Sequence, residues 1–333
     1  MPHLARCLAI VALALSGHGA AAQEVELRIG VRTDAAPFSY QRSGRRASTI
    51  SIPGPLINQG YDGFVVYLCD RALLDLQRQM GDRLKVVPVN VQASNRFEEL
   101  RNGGIDLLCD PATITRERVR EFLASMPIYI SGITFAKQPE IPPQYCGSIA
   151  GIVGRTTAET NGIHLILDNG EWPQFEPLVR DYLTKGDEWT EPNHACNALV
   201  DTGQAVAGSR PVPIRLFDNH IDAAAAFCDS EILYYVGDIE IVERNLAAVP
   251  DCAYSLARVT YTEERYAIFA RTDFENPETG LLTLRFLESL ARIIYASPSA
   301  LDQAFVHTFS GYQPTEKLQF FNWSIRGIPR AEN

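Results

Sequence analysis

Positive charge is scarce in this 333-residue chain: 30 Lys plus Arg stand against 40 Asp plus Glu, a formal net charge of −10. That balance excludes a basic nucleic-acid binder, whose footprint is clustered Lys and Arg. Internal repeats and low-complexity tracts are also missing, and 23 Gly and 20 Pro show no period. Disordered and collagen-like classes are thereby excluded. After residue 22 no apolar run approaches the 18 or so residues a spanning helix needs. The chain contains no C-x-x-C, H-E-x-x-H, G-x-S-x-G or Walker sequence. Neither a metal site nor a phosphate-binding loop is therefore expected, and no cofactor. Gly147, Gly151 and Gly154 have the wrong spacing for a dinucleotide fingerprint. What the chain does have is 46% hydrophobic and 21% charged residues, the make-up of a globular protein. A length above 300 points to two core units.

The first 22 residues read as a cleaved export signal. One Arg precedes the apolar stretch CLAIVALALS, and Ala20, Ala21 and Ala22 supply small residues for the peptidase. Six of the seven cysteines lie beyond it: Cys69, Cys109, Cys146, Cys196, Cys228 and Cys252. An even number in an exported protein favours disulfides, with fifteen possible connectivities. Cys69 falls on an expected helix and Cys109 on an expected strand, so this pair can bridge helix to sheet. Buried free thiols are the alternative.

Residues 25–31 (VELRIGV) alternate as a half-buried strand, and residues 63–80 have helical periodicity. Residues 84–91 and 105–109 read as strands around a short helix at 96–102. Strand and helix alternate again from residue 149, with helices at 175–183, 195–202, 221–228 and 239–245. The strong strand EILYYV at 231–236 follows the third of these, and a strand at 266–271 precedes helices at 283–295 and 300–308. This is the βαβ pattern of a parallel sheet, giving an α/β class. The polar stretch 41–59, with two prolines, reads as an exposed loop.

The segment 110–129 (DPATITRERVREFLASMPIY) carries the chemistry. Hydroxyls, backbone N–H groups and the Arg118 guanidinium meet at a strand-to-helix turn, where a carboxylate is favoured. An ordinary helix cap with a solvated Arg is the plain alternative.

With this segment the chain resembles the amino-acid-binding type II periplasmic solute-binding proteins, extracellular family 3, which are the capture subunits of ABC importers. The resemblance rests on residues 27–38 (LRIGVRTDAAPF), 63–68 (GFVVYL), 97–106 (FEELRNGGID), 113–118 (TITRER), 129–132 (YISG), 153–159 (VGRTTAE) and 221–238. Tyr67 departs from the family by replacing a usual acid, and segments 41–59 and 162–213 are longer. The resemblance implies a two-lobed α/β fold with two hinge strands. Residues 23–127 plus 267–333 would form lobe 1 and 133–262 lobe 2, with hinges near 128–132 and 263–267.

It also implies a site. Thr113 and Arg118 match the positions that hold the ligand α-carboxylate, and Asp238 matches the acid that pairs with the α-ammonium. Thr156 and Thr157 present backbone N–H groups from lobe 2. Arg32, Arg96 and His220 resemble the glutamate- and aspartate-binding subset. Cations gathered in one cleft are costly unless an anion neutralises them, which favours a polar or acidic ligand. Against that, Pro111 removes a donor and Asp110 repels an acid. Each residue keeps a plain alternative: Asp238 as a helix cap, Arg96 as a solvated helix start, His220 as a surface cap.

The expected function is capture of a polar or acidic amino acid in the periplasm, as a monomer, for an inner-membrane ABC permease. No nucleic-acid partner is expected. Two rivals share the fold: a cyclohexadienyl-dehydratase-like lyase, with His220 or Glu159 as general acid, and a periplasmic accessory of a dehydrogenase system.

Overall fold

A computed structural model describes residues 24–42, 53–141, 145, 147–190, 212–272, 274, 276–296, 299–310, 313 and 315–326. The expected helix at 195–202 and the two cysteines Cys146 and Cys196 lie outside these residues.

The strands, in chain order, are β1 (Val25–Val31), β2 (Asp34–Ala35), β3 (Ser39–Gln41), β4 (Tyr61–Asp62), β5 (Leu84–Asn90), β6 (Leu107–Thr113) and β7 (Leu123–Ala124). They continue with β8 (Tyr129–Ser131), β9 (Ile133–Lys137), β10 (Ser148–Val153), β11 (Ile214–Phe217), β12 (Ile232–Asp238), β13 (Ser255–Leu256) and β14 (Glu264–Ala270). The helices are α1 (Pro55–Asn58), α2 (Phe64–Met80), α3 (Arg96–Asn102), α4 (Arg118–Glu121), α5 (Ile163–Asp168) and α6 (Glu176–Lys185). Helices α7 (His220–Cys228), α8 (Ile239–Leu246), α9 (Pro277–Tyr295), α10 (Ala300–Thr308) and α11 (Glu316–Arg326) complete the set.

Two main sheets form two lobes. The first runs β5-β1-β6-β14-β7, with β8 also on β14, and the second runs β11-β10-β12-β9-β13. In each, the central parallel strands are buried along nearly their whole length, as a sheet covered on both faces requires. Leu27 and Ile29 of β1 pack with Leu68 and Leu73 of α2 and with Phe286 and Leu290 of α9. The second lobe has its own core of Ile149, Ile152, Phe135, Trp172, Leu233 and Val236.

The chain leaves the first sheet after Ser131 and enters the second at Ile133; it returns between β13 and β14. The two crossings touch at Gly132, where any Cβ would lie 2.5 Å from the Thr262 carbonyl oxygen. Only glycine lets these backbones approach so closely.

Disulfides join Cys69 of α2 to Cys109 of β6, and Cys228 to Cys252. The first closes a loop with a sequence separation of 40, so its removal frees a long stretch of unfolded chain. Replacing both Cys69 and Cys109 with serine is expected to cost about 2–4 kcal/mol. Urea denaturation measures this; an unchanged midpoint would count against a structural role.

Strand β6 extends past its expected end at residue 109 to Thr113, although Pro111 lies within it. The reason is a bulge. Ala112 pairs with Ala267 and Leu108 with Phe269, so residues 109–111 oppose Ile268 alone. Proline is tolerated at a bulge because no ladder donor is needed there. That distortion carries Asp110.

Candidate functional site

Four charged side chains form a buried chain in the first lobe. Arg32, at the end of β1, grips Asp34 with Nη2–Oδ2 2.6 Å and Nε–Oδ1 2.9 Å. Its Nε is 4.0 Å from Asp110, and Asp110 is 3.1 Å from Nε of Arg96 at the start of α3. Arg96 Nη1 also donates to the Ala93 carbonyl at 2.7 Å. The sequence Asp34–Arg32–Asp110–Arg96 therefore alternates in sign. Burial opposes the charge on Arg32, but Asp34 and Asp110 outweigh it and raise its pKa. Burial likewise opposes ionisation of Asp34, yet the Arg32 guanidinium holds it well below the usual carboxylate range. Asp110 accepts no hydrogen bond on either oxygen, and burial raises its pKa against the pull of Arg32 and Arg96.

This pairing corrects the charge argument drawn from sequence. Arg32 and Arg96 are not waiting for an anion, because Asp34 and Asp110 already neutralise them. His220 is not a cation either. Burial first, and Arg32 next, push its pKa down to about 3, so the imidazole is neutral. Its backbone N–H donates to Asp34 Oδ2 at 2.9 Å, and its Nδ1 is 2.7 Å from the Tyr235 hydroxyl. The surface-cap alternative fails too, since His220 is only 4% exposed. Asn219 is the residue that caps α7, accepting from the Asp222 N–H at 2.8 Å.

Arg118 differs from the other two arginines. Its Nη1 donates to the Thr113 carbonyl at 2.8 Å, and its guanidinium carbon lies 4.3 Å from the centre of the Phe97 ring. Among the described residues it makes no ion pair. Helix α4 behind it is a single turn of four residues, too short to supply a strong anion-binding dipole. Any capacity to donate to an anion here rests with the guanidinium rather than with the helix end.

Besides His220, three residues come from the second lobe. Thr156 Oγ1 donates to the Val153 carbonyl at 2.8 Å, and Thr157 is buried beside it. Asp238 ends β12 at the N-cap position of α8, yet its side chain makes no cap hydrogen bond. Its Oδ1 is buried without a hydrogen-bond partner. Burial, then the neighbouring carboxylate of Glu264, push its pKa up to about 7.

All eight residues singled out in the sequence line one cavity: Arg32, Arg96, Thr113 and Arg118 from one side, Thr156, Thr157, His220 and Asp238 from the other. Pro111, Gly237 and Ile241 complete its walls with Ala158. Its free space of about 20 Å³ is enough for roughly one water. The lobes are closed upon each other. Besides the Asp34–His220 bond, Arg155 Nη1 donates to the Ser94 carbonyl at 2.8 Å across the cleft. Asn245 Nδ2 donates to the Asp34 carbonyl at 3.5 Å.

Asp34 and Glu264 were not singled out from sequence. Asp34 lies two residues after Arg32 in the same motif, which was an available signal; Glu264 reaches the site only through the β8–β14 pairing. Glu159, the other acid considered for catalysis, is outside the cavity wall and accepts the Arg155 N–H. Among the described residues no group of three or more His, Cys, Asp or Glu is arranged to hold a metal.

The chain belongs to the bacterial extracellular solute-binding proteins, family 3, whose model matches residues 27–205. Among solved structures, it is similar to the arginine-, lysine-, histidine-binding protein ArtJ from Geobacillus stearothermophilus, with 15% identity and a TM-score of 0.55. That match covers 89% of this chain and 100% of the other. A mutant of ArgBP from T. maritima matches with 19% identity and TM-score 0.55, over 86% of this chain and 95% of that one. The ancestral amino acid-binding protein AncCDT-1, a precursor of cyclohexadienyl dehydratase, matches with 18% identity and TM-score 0.52, over 86% and 96%. At these identities the likeness shows the fold, a two-lobed α/β architecture. A search of curated proteins finds no match.

Proposed function

We propose that this protein captures a polar amino acid between its lobes in the periplasm and delivers it to an inner-membrane ABC permease. One observation carries the reading: the cavity brings together a guanidinium without an ion pair, Arg118, and a carboxylate whose Oδ1 has no hydrogen-bond partner, Asp238, from opposite lobes. A zwitterion matches that polarity, with α-carboxylate toward Arg118 and Thr113 and α-ammonium toward Asp238. Because Arg32 and Arg96 already have carboxylate partners, a net-neutral side chain suits the site better than that of glutamate or aspartate. The hinges would lie near residues 128–132 and 263–267, separating lobe 1 (23–127 plus 267–333) from lobe 2 (133–262). Binding would shift an open–closed equilibrium.

Calorimetry of the purified protein against a panel of amino acids tests this. Neutral polar amino acids should bind at about micromolar Kd or tighter. If none binds, the reading fails; if glutamate binds best, the neutral-ligand part fails. Turnover of prephenate or arogenate would replace capture by lyase chemistry, with Asp238 as the group poised near neutrality.

Asp238 also sets a pH dependence. The ligand ammonium needs it ionised, while the free protein holds it protonated below about pH 7. Binding therefore releases a proton, and affinity should fall by up to about tenfold per unit as pH drops below 7. Asp238→Asn should remove that slope. A wild-type affinity that is flat from pH 5 to 7 would contradict the assignment.

A further inference from the structure

Helix α8 separates two cavities. Ile241 faces the site just described, while Glu240, Glu243, Arg244 and, one residue past the helix end, Ala247 face a second cavity of about 380 Å³. The opposite wall comes from the first lobe: Tyr129 of β8, Phe305 of α10, Phe309 beyond it and Leu318 of α11. The rings form one packed surface, with Phe305 and Phe309 stacked at 4.8 Å and Tyr129 and Phe309 at 6.0 Å.

The volume lies within the range of small-molecule sites, and so does the composition: apolar and aromatic walls with a few convergent polar groups. The charges are two carboxylates, Glu240 and Glu243, against the single guanidinium of Arg244. Glu240 is held in place by hydroxyl hydrogen bonds from Tyr129, at 3.1 Å, and from Ser131. Burial raises its pKa, so it is a carboxylate that a neighbouring cation would stabilise. Carboxylates beside an apolar aromatic wall suit an organic ammonium ion, its charge meeting the carboxylates and its apolar body meeting the rings.

We propose that this cavity is a second ligand site, distinct from the amino-acid cleft, that takes a small organic cation with an apolar body. Its walls come from both lobes, so an occupant bridges them and favours the closed arrangement. The same helix bears on both sites, which makes any coupling between their ligands reciprocal.

Benzyltrimethylammonium is the probe, titrated by calorimetry into the full chain, with benzyl alcohol and 3-phenylpropanoate as neutral and anionic comparators. The cation should bind saturably and at least about tenfold more tightly than either comparator. Ala247→Trp fills the mouth and should abolish binding at an unchanged unfolding midpoint, and Glu243→Gln should weaken it about tenfold. Small-angle scattering should show a smaller radius of gyration with the cation present. The proposal is overturned if the cation does not bind, if 3-phenylpropanoate binds as tightly, or if Ala247→Trp leaves its binding intact. An unchanged radius of gyration overturns the coupling to closure.

Discussion

Replacing Arg118 with alanine is expected to weaken amino-acid capture by about 2–5 kcal/mol, a loss of roughly thirtyfold to several thousandfold. The guanidinium is held by the Thr113 carbonyl and laid over Phe97, so its remaining N–H groups are oriented before any ligand arrives. On the proposed assignment, its removal would leave a ligand carboxylate in a closed cleft without its principal donor, which costs more than the lost hydrogen bonds alone. Stability should change little, because Arg118 stands outside the Asp34–Arg32–Asp110–Arg96 chain. Arg118→Lys should recover part of the affinity, since an ammonium restores charge but not the two-pronged fork. Calorimetry with the best ligand of the panel measures all three proteins. Equal affinity for the alanine variant would show that the carboxylate lies elsewhere.

Asp110→Ala should damage the fold itself, by about 3–5 kcal/mol. Arg96 is 3% exposed and has Asp110 as its carboxylate partner, so deletion strands a buried cation. Arg32 retains Asp34, but the guanidiniums of Arg32 and Arg118 then act on Arg96 without the carboxylate that offsets them. Urea denaturation should show a markedly lower midpoint, and a wild-type midpoint would mean the ion-pair chain contributes nothing. The same substitution changes selectivity. With Arg96 unneutralised, the cleft gains an unmet positive charge, and preference should move from neutral amino acids toward glutamate.

The order of strands and helices was readable because the local signals agree. The strand at 25–31, the helix at 96–102 and the helix at 300–308 lie where alternation, glycine stops and apolar spacing put them. The Cys69–Cys109 bridge was accessible because its halves sit on a segment of helical periodicity and on a strongly apolar one. Helix α11 escaped notice because Phe320 and Trp323 are exposed while Leu318, Phe321 and Ile325 are buried, which blurs the apolar stripe. The eight residues that motif order brings forward line one cavity. Their charge states were not legible: the neutrality of His220 comes from burial, and the quenching of Arg96 from a bulge that aims Asp110 across the sheet. Such properties belong to tertiary contacts between distant residues, and no local pattern encodes them.

The bond from the His220 N–H to Asp34 has an implication for traffic through the protein. Arg32 and Asp34 lie in the same lobe, so opening strands no charge at this contact; what empty closure does bury is Oδ1 of Asp238, without a hydrogen-bond partner. Shutting without cargo therefore carries the cost of burying that oxygen, which keeps the share of shut, empty molecules small. Each such molecule must reopen before it can load, which reduces apparent affinity by the fraction that is unavailable. A membrane partner that responded to shape alone would also meet closed but unladen molecules. If the protein delivers to a permease as proposed, delivery is most productive with a partner that senses cargo as well as closure.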